Sequence, residues 1–565
     1  MFVRARKRKI ALTVMSAALV APVKLPASEK GVQSNRIAAT DSALGNESLG
    51  LFQSGDFRIT TGKCNDCPTP KQALWYFENE LIAVPKNGMP VAGLAANRLG
   101  YDEVLSALRI AGDEKEPAHP SLVWVGSRDI VQHASLSFDG DKLSISHGTE
   151  LRLSLIPKLA ANRSYYNHSS TEFFRRRSLR VRGALNQNAA SPGFIARTIW
   201  PEDFRLHAAL KGAPLLKNQK MSDLIVAQNG GATGPFQAQL LWERDTTERR
   251  HWAGMPVLGL LLSGGQGDDD ESQAGHLAVV TGRIGPNGEM ADWMVNNFYN
   301  LDEVSEKGII ASMLPLDNYL MDLNSGQSYY RPTYLLVAIL KDSRAASRFQ
   351  AAIQPLYNHF YRHDFLYHHS KVNCTGMSID ILRTLGWQIP RKGATNYLKA
   401  AAAFAYVSVK DRSFASGKKI FDYLTEEQTR LFPRAAFEVA AEDLLAIVNG
   451  RAQDSGSRFT AYEKVLRDDV SAVLFVRIPQ IPSSRALGTY PIASFDEYRN
   501  RLPADRSKWK IVPVDARPFP EDLREPLANQ SHAMDGFAVV MLPIVLAFFG
   551  ILRMLILRKR FGSGK

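Results

Sequence analysis

Cys374 is the residue of this chain whose type and position best suit nucleophilic chemistry. It lies in the stretch HHSKVNCTGMSIDILRTLGW, which runs from His368 to Trp387. The apolar periodicity after it predicts a helix that begins at the cysteine and ends at Gly386. The dipole and free N–H groups of a helix N-terminus favour a thiolate and can stabilise an oxyanion. The pattern favours a thiol nucleophile, and its alternative is a small buried apolar residue.

A thiol nucleophile needs a base within hydrogen-bond reach, and His276 is the histidine best placed to supply one. It follows Gly275 and starts an apolar strand, so it can point into a cleft from a rigid element. The imidazole then needs a polar group that orients it. The turn GPNGE leads to a second strand, which offers Asp292, Asn296 and Asn297. Asp292 and Asn296 share a face by two-residue alternation, and the third residue is left open between these two.

Four other histidines are weaker alternatives. His368 and His369 could act as bases or hold a metal, but adjacent residues of an extended segment point to opposite sides. His359 and His363 have the i, i+4 spacing with which a helix can bind zinc. No Glu follows His359, so the zincin motif is absent. We therefore expect no metal and no cofactor.

The two remaining cysteines form a CxxC motif, Cys64 to Cys67, which prolines follow at once. The lack of a histidine directly after it excludes a c-type haem site, and one CxxC cannot complete a four-ligand zinc site. In an oxidising compartment the expected state of this pair is a disulfide. Cys374 is then left over as a free thiol.

The two ends of the chain predict contact with a membrane. Basic residues at 4–9 precede an apolar run at 10–23, which is typical of a secretory signal sequence or an uncleaved anchor. Residues 537–557, FAVVMLPIVLAFFGILRMLIL, are long and apolar enough to cross a bilayer. The RKR cluster after them predicts a cytoplasmic C-terminus, with the rest of the chain outside the cytoplasm.

Length and composition indicate a globular chain of several domains. Its 565 residues are too many for one core, and its 45% hydrophobic and 22% charged residues are ordinary. The net charge of +13 suits an anionic partner such as a phospholipid surface. Zinc-ligand cysteine pairs, an RRM-like motif and a Walker loop are all absent from the sequence, so we expect no nucleic-acid partner. The basic run from Phe173 to Gly183 is interpreted as a solvated strand face, with contact to an anionic surface as the alternative.

The motif GHLAVV ahead of VNCTGMSIDILRTLGW resembles the circularly permuted NlpC-like branch of papain-like thiol enzymes. This branch includes the lecithin:retinol acyltransferase group and the periplasmic domain of Lnb-type lipoprotein acyltransferases. In it the histidine strand precedes the nucleophile helix, and an Asn-Cys pair opens that helix in several members. The resemblance covers roughly residues 255–400, in which 98 positions separate His276 from Cys374.

The resemblance implies a role for each matching residue. Cys374 would be the nucleophile and His276 the base. Asp292 or Asn296 would complete a triad. Asn373 and Thr375, beside the nucleophile, would shape the site and its oxyanion hole. The site residues that the resemblance implies are therefore Cys374, His276, Asp292, Asn296, Asn373 and Thr375.

The predicted fold class is α+β, with a permuted papain-like thiol-enzyme domain preceded by a β-rich domain. An N-terminal signal segment and one C-terminal transmembrane helix flank these domains. The predicted segments are a signal sequence or anchor at 1–27, a linker at 28–50, the β-rich domain at 51–250, the papain-like domain at 255–450, a mixed α/β segment with an extended arm at 451–535, the transmembrane helix at 537–557 and a basic cytoplasmic tail at 558–565.

The predicted function is that of a membrane-anchored cysteine hydrolase or acyltransferase in the periplasm, held in the bacterial inner membrane. It would act on an amide or ester of a cell-wall peptide, or on a lipid or lipoprotein acyl group, through a thioester acyl-enzyme. Membrane lipids would be its partners through the C-terminal helix. The alternative is a non-catalytic, membrane-anchored binding module of the cell envelope with an inactive thiol fold.

Overall fold

The structure is a computed structural model, and every structural statement below concerns the residues that it describes. All of them lie in one unit, Ala39–Lys565. The described residues are 41–42, 48–86, 98–111, 119–145, 148–155, 166–186, 192–225, 234–244, 250–265, 274–301, 310–324, 326–394, 397–450, 458–484, 491–494, 496–497, 500 and 519–523.

The strands from residue 256 onward are more apolar and more deeply buried than most strands before it. In chain order they are β1 Asp41–Ser42, β2 Ser48–Leu49, β3 Phe52–Gln53, β4 Phe57–Thr61, β5 Leu81–Pro85, β6 Val123–Trp124, β7 Asp129–Leu136, β8 Lys142–Ser144, β9 Glu150–Leu155, β10 Leu179–Asn186, β11 Gly193–Pro201, β12 Gln237–Glu243, β13 Pro256–Ser263, β14 His276–Arg283, β15 Met294–Asn297, β16 Ser312–Pro315, β17 Thr333–Leu340 and β18 Val470–Ile478.

Most of the long helices follow strand β17. In chain order the helices are α1 Lys71–Tyr76, α2 Tyr101–Ala111, α3 His168–Phe174, α4 Met221–Ile225, α5 Leu316–Met321, α6 Gln327–Tyr330, α7 Arg344–Tyr361, α8 Cys374–Thr384, α9 Tyr397–Lys410, α10 Phe414–Thr425, α11 Gln428–Leu431, α12 Pro433–Val448 and α13 Ala461–Asp469. A 3₁₀ turn, Ser54–Asp56, lies between β3 and β4.

A seven-stranded antiparallel sheet positions the elements of the candidate site. Its strand order is β12-β18-β17-β13-β14-β15-β16. Strands β13 and β17 are buried along their whole length, and β14 is buried except at its last residue. Continuous apolar runs of this kind form strands whose two faces are both covered. Helices α7, α8 and α12 all pack against β14.

The first part of the chain contributes a small barrel. Strands β7, β10, β11, β9 and β8 pair in that order, and β8 pairs back to β7, which closes the ring. Strand β11 runs parallel to β9, whereas the other pairs in the ring are antiparallel. Closure of the ring removes the exposed sheet edges that a flat sheet of five strands would present.

Buried ion pairs join the barrel to the region of the seven-stranded sheet. Arg182 on β10 binds Asp317 of α5 through its Nε atom at 3.0 Å, and both side chains are fully buried. Arg180 binds the same carboxylate at 3.1 Å and binds Asp292 as well. The prediction that the basic run forms a solvated face is therefore wrong at these two arginines. Charges are buried only when they are paired, and the acidic partners come from over 100 residues away.

The predicted fold class, a permuted papain-like domain preceded by a β-rich domain and followed by one transmembrane helix, is wrong. The described residues form a mixed α+β structure with several sheets, one of which closes into a five-stranded barrel. The seven-stranded sheet takes β12 from one predicted segment, β13 to β17 from the next and β18 from a third. Alternation in a sequence identifies strands but not their distant partners, so the sequence pattern missed this pairing.

The predicted membrane helix at 537–557 and the signal segment at 1–27 both lie outside the described residues. Within the part of the chain that the structure describes, no helix is long and apolar enough to cross a membrane.

Candidate active site

Cys374 is the first residue of helix α8, and Asn373 caps that helix. The Asn373 side-chain oxygen accepts hydrogen bonds from the backbone N–H groups of Thr375 at 3.0 Å and Gly376 at 2.9 Å. Its amide nitrogen donates to the carbonyl of His369 at 3.0 Å, which fixes the loop before the helix. The cap therefore uses two of the free N–H groups at this helix end and leaves that of Cys374 for another partner.

His276 is the first residue of β14, and Gly275 sets the backbone that presents it. Gly275 has a φ of +97°, and a Cβ atom there would lie 2.6 Å from the carbonyl oxygen of Ser263. A side chain at position 275 would therefore be strained and would clash. Ser263 is also the register partner of His276 in the β13–β14 pair. A buried, hydrogen-bonded strand thus holds the imidazole in place.

Asn297 orients the His276 imidazole. Its Oδ1 atom lies 2.6 Å from His276 Nε2, and its Nδ2 atom donates to the carbonyl of Ile310 at 3.3 Å. The second bond fixes which end of the amide faces the imidazole. An amide oxygen only accepts hydrogen bonds, so Nε2 carries the proton and Nδ1 is the nitrogen that can take a proton from the thiol.

The register of β14 and β15 explains why Asn297 is the partner and Asn296 is not. Val280 pairs with Val295, so the face of β14 that carries His276 matches the odd-numbered positions of β15. Asn296 lies on the opposite face, where its Nδ2 atom donates to the carbonyl of Val279 at 3.1 Å. A shift of one residue therefore separates the predicted partner from the observed one.

Asp292, the other predicted third residue, lies outside β15 and belongs to the ion-pair cluster of the barrel. Its carboxylate is 2.5 Å from Arg180 and 3.5 Å from Arg182. Asn297 follows Asn296 directly in the sequence, and the residue pattern did not favour it as the third residue. Only the parity of the strand pairing could have selected it.

The imidazole and the thiol form an interacting pair. Burial raises the pKa of the Cys374 thiol, but the charge of His276 and hydrogen bonds from its imidazole, the backbone N–H of Leu277 and the Thr375 hydroxyl outweigh that effect. Together they lower the pKa to about 6. A thiol with this pKa is largely thiolate at neutral pH, which is the form that attacks carbonyl carbons. The Thr375 hydroxyl lies 3.8 Å from the sulfur.

Tyr367 is a site residue that the sequence analysis missed. The Cys374 N–H donates to its hydroxyl at 3.3 Å. Burial, followed by the charge of the nearby Cys374 thiolate, raises the pKa of Tyr367 well above its usual value. The hydroxyl therefore keeps its proton and can donate it in a hydrogen bond. Nothing in the sequence around Tyr367 indicated this role, because the six-residue loop 368–373 brings its hydroxyl back to the helix end.

The sulfur opens into a cavity of about 490 Å³. The sheet contributes its Gly275 end, the loop before α8 contributes Tyr367, His368 and His369, and helices α9 and α10 contribute the far wall. The lining also includes apolar side chains, namely Val407, Ile420, Tyr423 and Leu431. The α9–α10 side also contributes Asp411, Ser416 and Lys419, so a ligand group next to Cys374 would meet both polar and apolar side chains.

Of the other predicted histidines, His368 and His369 line the cavity, whereas His359 and His363 lie elsewhere. His368 accepts or donates a hydrogen bond with Ser370 at 2.8 Å, and burial lowers its pKa. His359 pairs with Asp364 at 2.6 Å, and His363 pairs with the Tyr76 hydroxyl at 2.9 Å. Among the residues that the structure describes, no group of three or more His, Cys, Asp and Glu side chains could hold a metal ion.

Cys64 and Cys67 are joined by a disulfide, which leaves Cys374 as the free thiol of the chain. Comparison of the chain with protein-family models, with curated proteins and with solved structures found no match. The resemblance to permuted NlpC-like enzymes accordingly stays a prediction, and the geometry around Cys374 is the evidence for function.

Proposed function

We propose that this protein is a thiol acyl-transfer enzyme, a hydrolase or acyltransferase, with Cys374 as its nucleophile. The observation that carries the proposal is a helix-terminal thiol whose pKa is lowered to about 6 by His276 and which opens into a cavity. An isolated structural cysteine that is buried has its pKa raised instead. A nucleophile, a base and a group that orients the base are the three parts of a catalytic triad.

In the first step the Cys374 thiolate attacks the carbonyl carbon of an ester or amide. A C–S bond forms, and the carbonyl π electrons move onto oxygen. When the tetrahedral intermediate collapses, the bond to the leaving alcohol or amine breaks and His276 supplies its proton. In the second step His276 takes a proton from water or from an acceptor alcohol or amine, which attacks the thioester and releases the thiolate.

Two donors can stabilise the oxyanion of the tetrahedral intermediate. The backbone N–H of Cys374 donates to the Tyr367 hydroxyl at 3.3 Å, so the two groups lie side by side. An oxyanion placed between them would accept from both. Groups of this kind act because they are oriented before charge develops.

The test is formation of the acyl-enzyme. The full chain is mixed with p-nitrophenyl hexanoate, quenched in acid and weighed by intact-protein mass spectrometry. We expect one added hexanoyl group, located on Cys374, and none in Cys374→Ala. Because Cys374 is the free thiol, it is the cysteine that can be acylated. Acylation of the Cys374→Ala variant at the same rate would contradict the proposal.

The pH dependence of thiol alkylation tests the same proposal without a substrate. Thiolate reacts with iodoacetamide and thiol does not, so the rate should rise with pH around a midpoint near 6. A midpoint near the ordinary thiol value of about 8.5 would mean that His276 does not stabilise the thiolate. It would favour the non-catalytic alternative.

We also propose that the enzyme works in an oxidising compartment outside the cytoplasm. The Cys64–Cys67 disulfide supports this location, since such bonds persist in oxidising surroundings. The basic and apolar pattern of residues 4–23 supports export. Mass spectrometry of the alkylated, unreduced protein isolated from cells would show whether this cysteine pair is oxidised.

A further inference from the structure

Helices α9 and α10 form an antiparallel hairpin that covers the Cys374 cavity. They pack closely on each other, and Ser413 caps α10 at the tight turn between them. The inner side of the hairpin gives the cavity Val407, Ile420 and Tyr423. The same hairpin therefore has one side on the candidate active site and another side on solvent.

The solvent side of this hairpin carries a cluster of large apolar side chains. Among the described residues, eight large hydrophobic side chains are exposed, and five of them belong to these two helices. Each of the five is at least 66% exposed; they are Tyr397, Leu398, Tyr406, Val409 and Phe414. Single exposed apolar residues are common on protein surfaces, but a cluster marks a surface that binds something.

The exposed residues of α9 form a stripe. Leu398, Ala402, Tyr406 and Val409 are spaced i, i+4, i+8 and i+11, and all four are exposed. At 100° per residue these positions fall within an arc of about 80°. Phe414, at the start of α10, extends the apolar surface across the tip of the hairpin.

Basic residues surround this stripe. Residues 397–425 include five basic and two acidic residues, which gives a net charge of +3. Lys399, Lys410 and Arg412 are exposed near the stripe, and the ammonium group of Lys410 lies 5.9 Å from the centre of the Tyr406 ring. Protein–protein interfaces are depleted in lysine, whereas helices that lie on membranes combine an apolar face with flanking lysines and arginines.

We propose that the α9–α10 hairpin docks on an anionic phospholipid bilayer, with the apolar stripe in the headgroup region and the basic residues on the lipid phosphates. Docking would place the roof of the Cys374 cavity at the lipid surface. The substrate class that follows is an acyl ester or amide held in the bilayer. This substrate class rests on the proposed function, whereas the docking itself does not.

The docking is tested by fluorescence quenching with the full chain. Phe414→Trp places a probe at the hairpin tip, and Phe138→Trp places a matched probe on the barrel, where the side chain is 74% exposed. Each is mixed with vesicles of phosphatidylcholine and phosphatidylglycerol whose acyl chains are brominated. The unsubstituted chain, with its eight tryptophans, gives the baseline to subtract.

We expect the added fluorescence at position 414 to be quenched and that at position 138 to remain. Quenching at 414 should weaken when phosphatidylglycerol is left out or salt is raised, because the basic residues then lose their lipid partners. Equal quenching at both positions, or none at either, would overturn the proposal. A concentration-dependent dimer that Phe414→Ser abolishes would also overturn it in favour of a second copy of this chain.

A second measurement separates docking from chemistry. The double variant Leu398→Ser and Phe414→Ser changes two side chains that do not line the cavity. With soluble p-nitrophenyl hexanoate it should form the acyl-enzyme as fast as the unsubstituted chain does. With a vesicle-embedded acyl ester it should react several-fold more slowly than the unsubstituted chain. If the variant matches the unsubstituted chain on both esters, the docking proposal is overturned. Failure of the unsubstituted chain to react with either ester would instead contradict the proposed function, and the quenching result would still stand.

Discussion

Two of the three buried histidines among the described residues, His276 and His359, have contrasting surroundings. His276 faces the side-chain oxygen of Asn297 at 2.6 Å, and His359 faces the carboxylate of Asp364 at the same distance. Both imidazoles are buried and both are oriented by one acceptor. Only His276 has a thiol beside it and a cavity at that thiol.

The second pair is part of an ion-pair network. Asp364 also binds Arg98 at 3.2 Å and lies 3.8 Å from Arg362. Burial opposes ionisation of Asp364, but hydrogen bonds from His359 and Arg98 lower its pKa below the usual value. The carboxylate is therefore charged and already paired. An oriented imidazole is thus not a mark of catalysis unless a nucleophile and space for a substrate accompany it.

Removing each histidine in turn should change the rate of acyl-enzyme formation by very different amounts. His276→Ala should lower the rate of acyl-enzyme formation by about 10²–10⁴-fold, because the thiol loses its base and its pKa rises. His359→Ala should leave that rate nearly unchanged. Stopped-flow release of p-nitrophenol measures both. Similar losses of rate in the two folded variants would remove the distinction between the two sites.

Tyr367→Phe should have the next largest effect. Loss of one oxyanion donor typically costs about 10²–10³-fold in the rate of the chemical step. The variant should keep the alkylation midpoint of Cys374 below that of an ordinary thiol, since His276 remains. Tyr423→Phe, on the α10 side of the same cavity, is the matched control and should retain the rate. Equal effects of the two substitutions would place the oxyanion elsewhere.

Asn297→Ala should lower the rate by about 10–10²-fold, because a base that is misplaced by about 1 Å loses roughly that much. Asn296→Ala, one residue away on the opposite face, should leave the rate intact in the folded protein. The alkylation midpoint gives a second readout, which should rise in Asn297→Ala only. A larger loss in Asn296→Ala would contradict the strand register.

Substitution of His359 should lower the free energy of unfolding more than substitution of His276 does. His359→Ala leaves Asp364 without one of its buried partners and should cost about 1–3 kcal/mol of unfolding free energy. Urea titration at pH 7 measures this cost. His276→Gln, which keeps a polar side chain of similar reach, serves as the control and should cost less. A larger loss at position 276 would make its cluster the structural one.

The lowered thiol pKa predicts a smaller, pH-dependent contribution. A group whose pKa is depressed in the folded state stabilises the protein above its unfolded pKa, and this stabilisation is lost as the pH falls through the folded value. For Cys374 the loss should occur between about pH 8.5 and 6. Relative to Cys374→Ser, the difference in unfolding free energy at pH 7.5 should be about 1–2 kcal/mol larger than at pH 5. A pH-independent difference would contradict the lowered pKa.

Local patterns in the sequence predicted the two elements that present the candidate site residues. The periodicity after Asn373 predicted a helix that starts at Cys374, and α8 begins there. The apolar run after Gly275 predicted a strand that starts at His276, and β14 begins there. Both features depend on nearest neighbours along the chain, so a single sequence is enough to find them.

The sequence pattern could not supply the partners of these elements. Strand alternation offered Asn296 and Asn297 equally, and the pairing with β14 selected Asn297. The basic run contained Arg180 and Arg182 without their acidic partners, which α5 and the loop before β15 bring to them. Each of these contacts joins residues far apart in the chain. The sequence near either residue does not indicate which distant segment will pack against it.

By itself the sequence determined which residues are chemically able to act: one free thiol at a helix start, and one histidine at a strand start. Only the tertiary structure decided that the imidazole meets the thiol, that Asn297 holds the imidazole and that Tyr367 reaches the Cys374 N–H. It also placed the α9–α10 hairpin over the cavity. The physical reason is that residue type and local periodicity are written along the chain, whereas strand register and long-range packing arise only when distant segments meet.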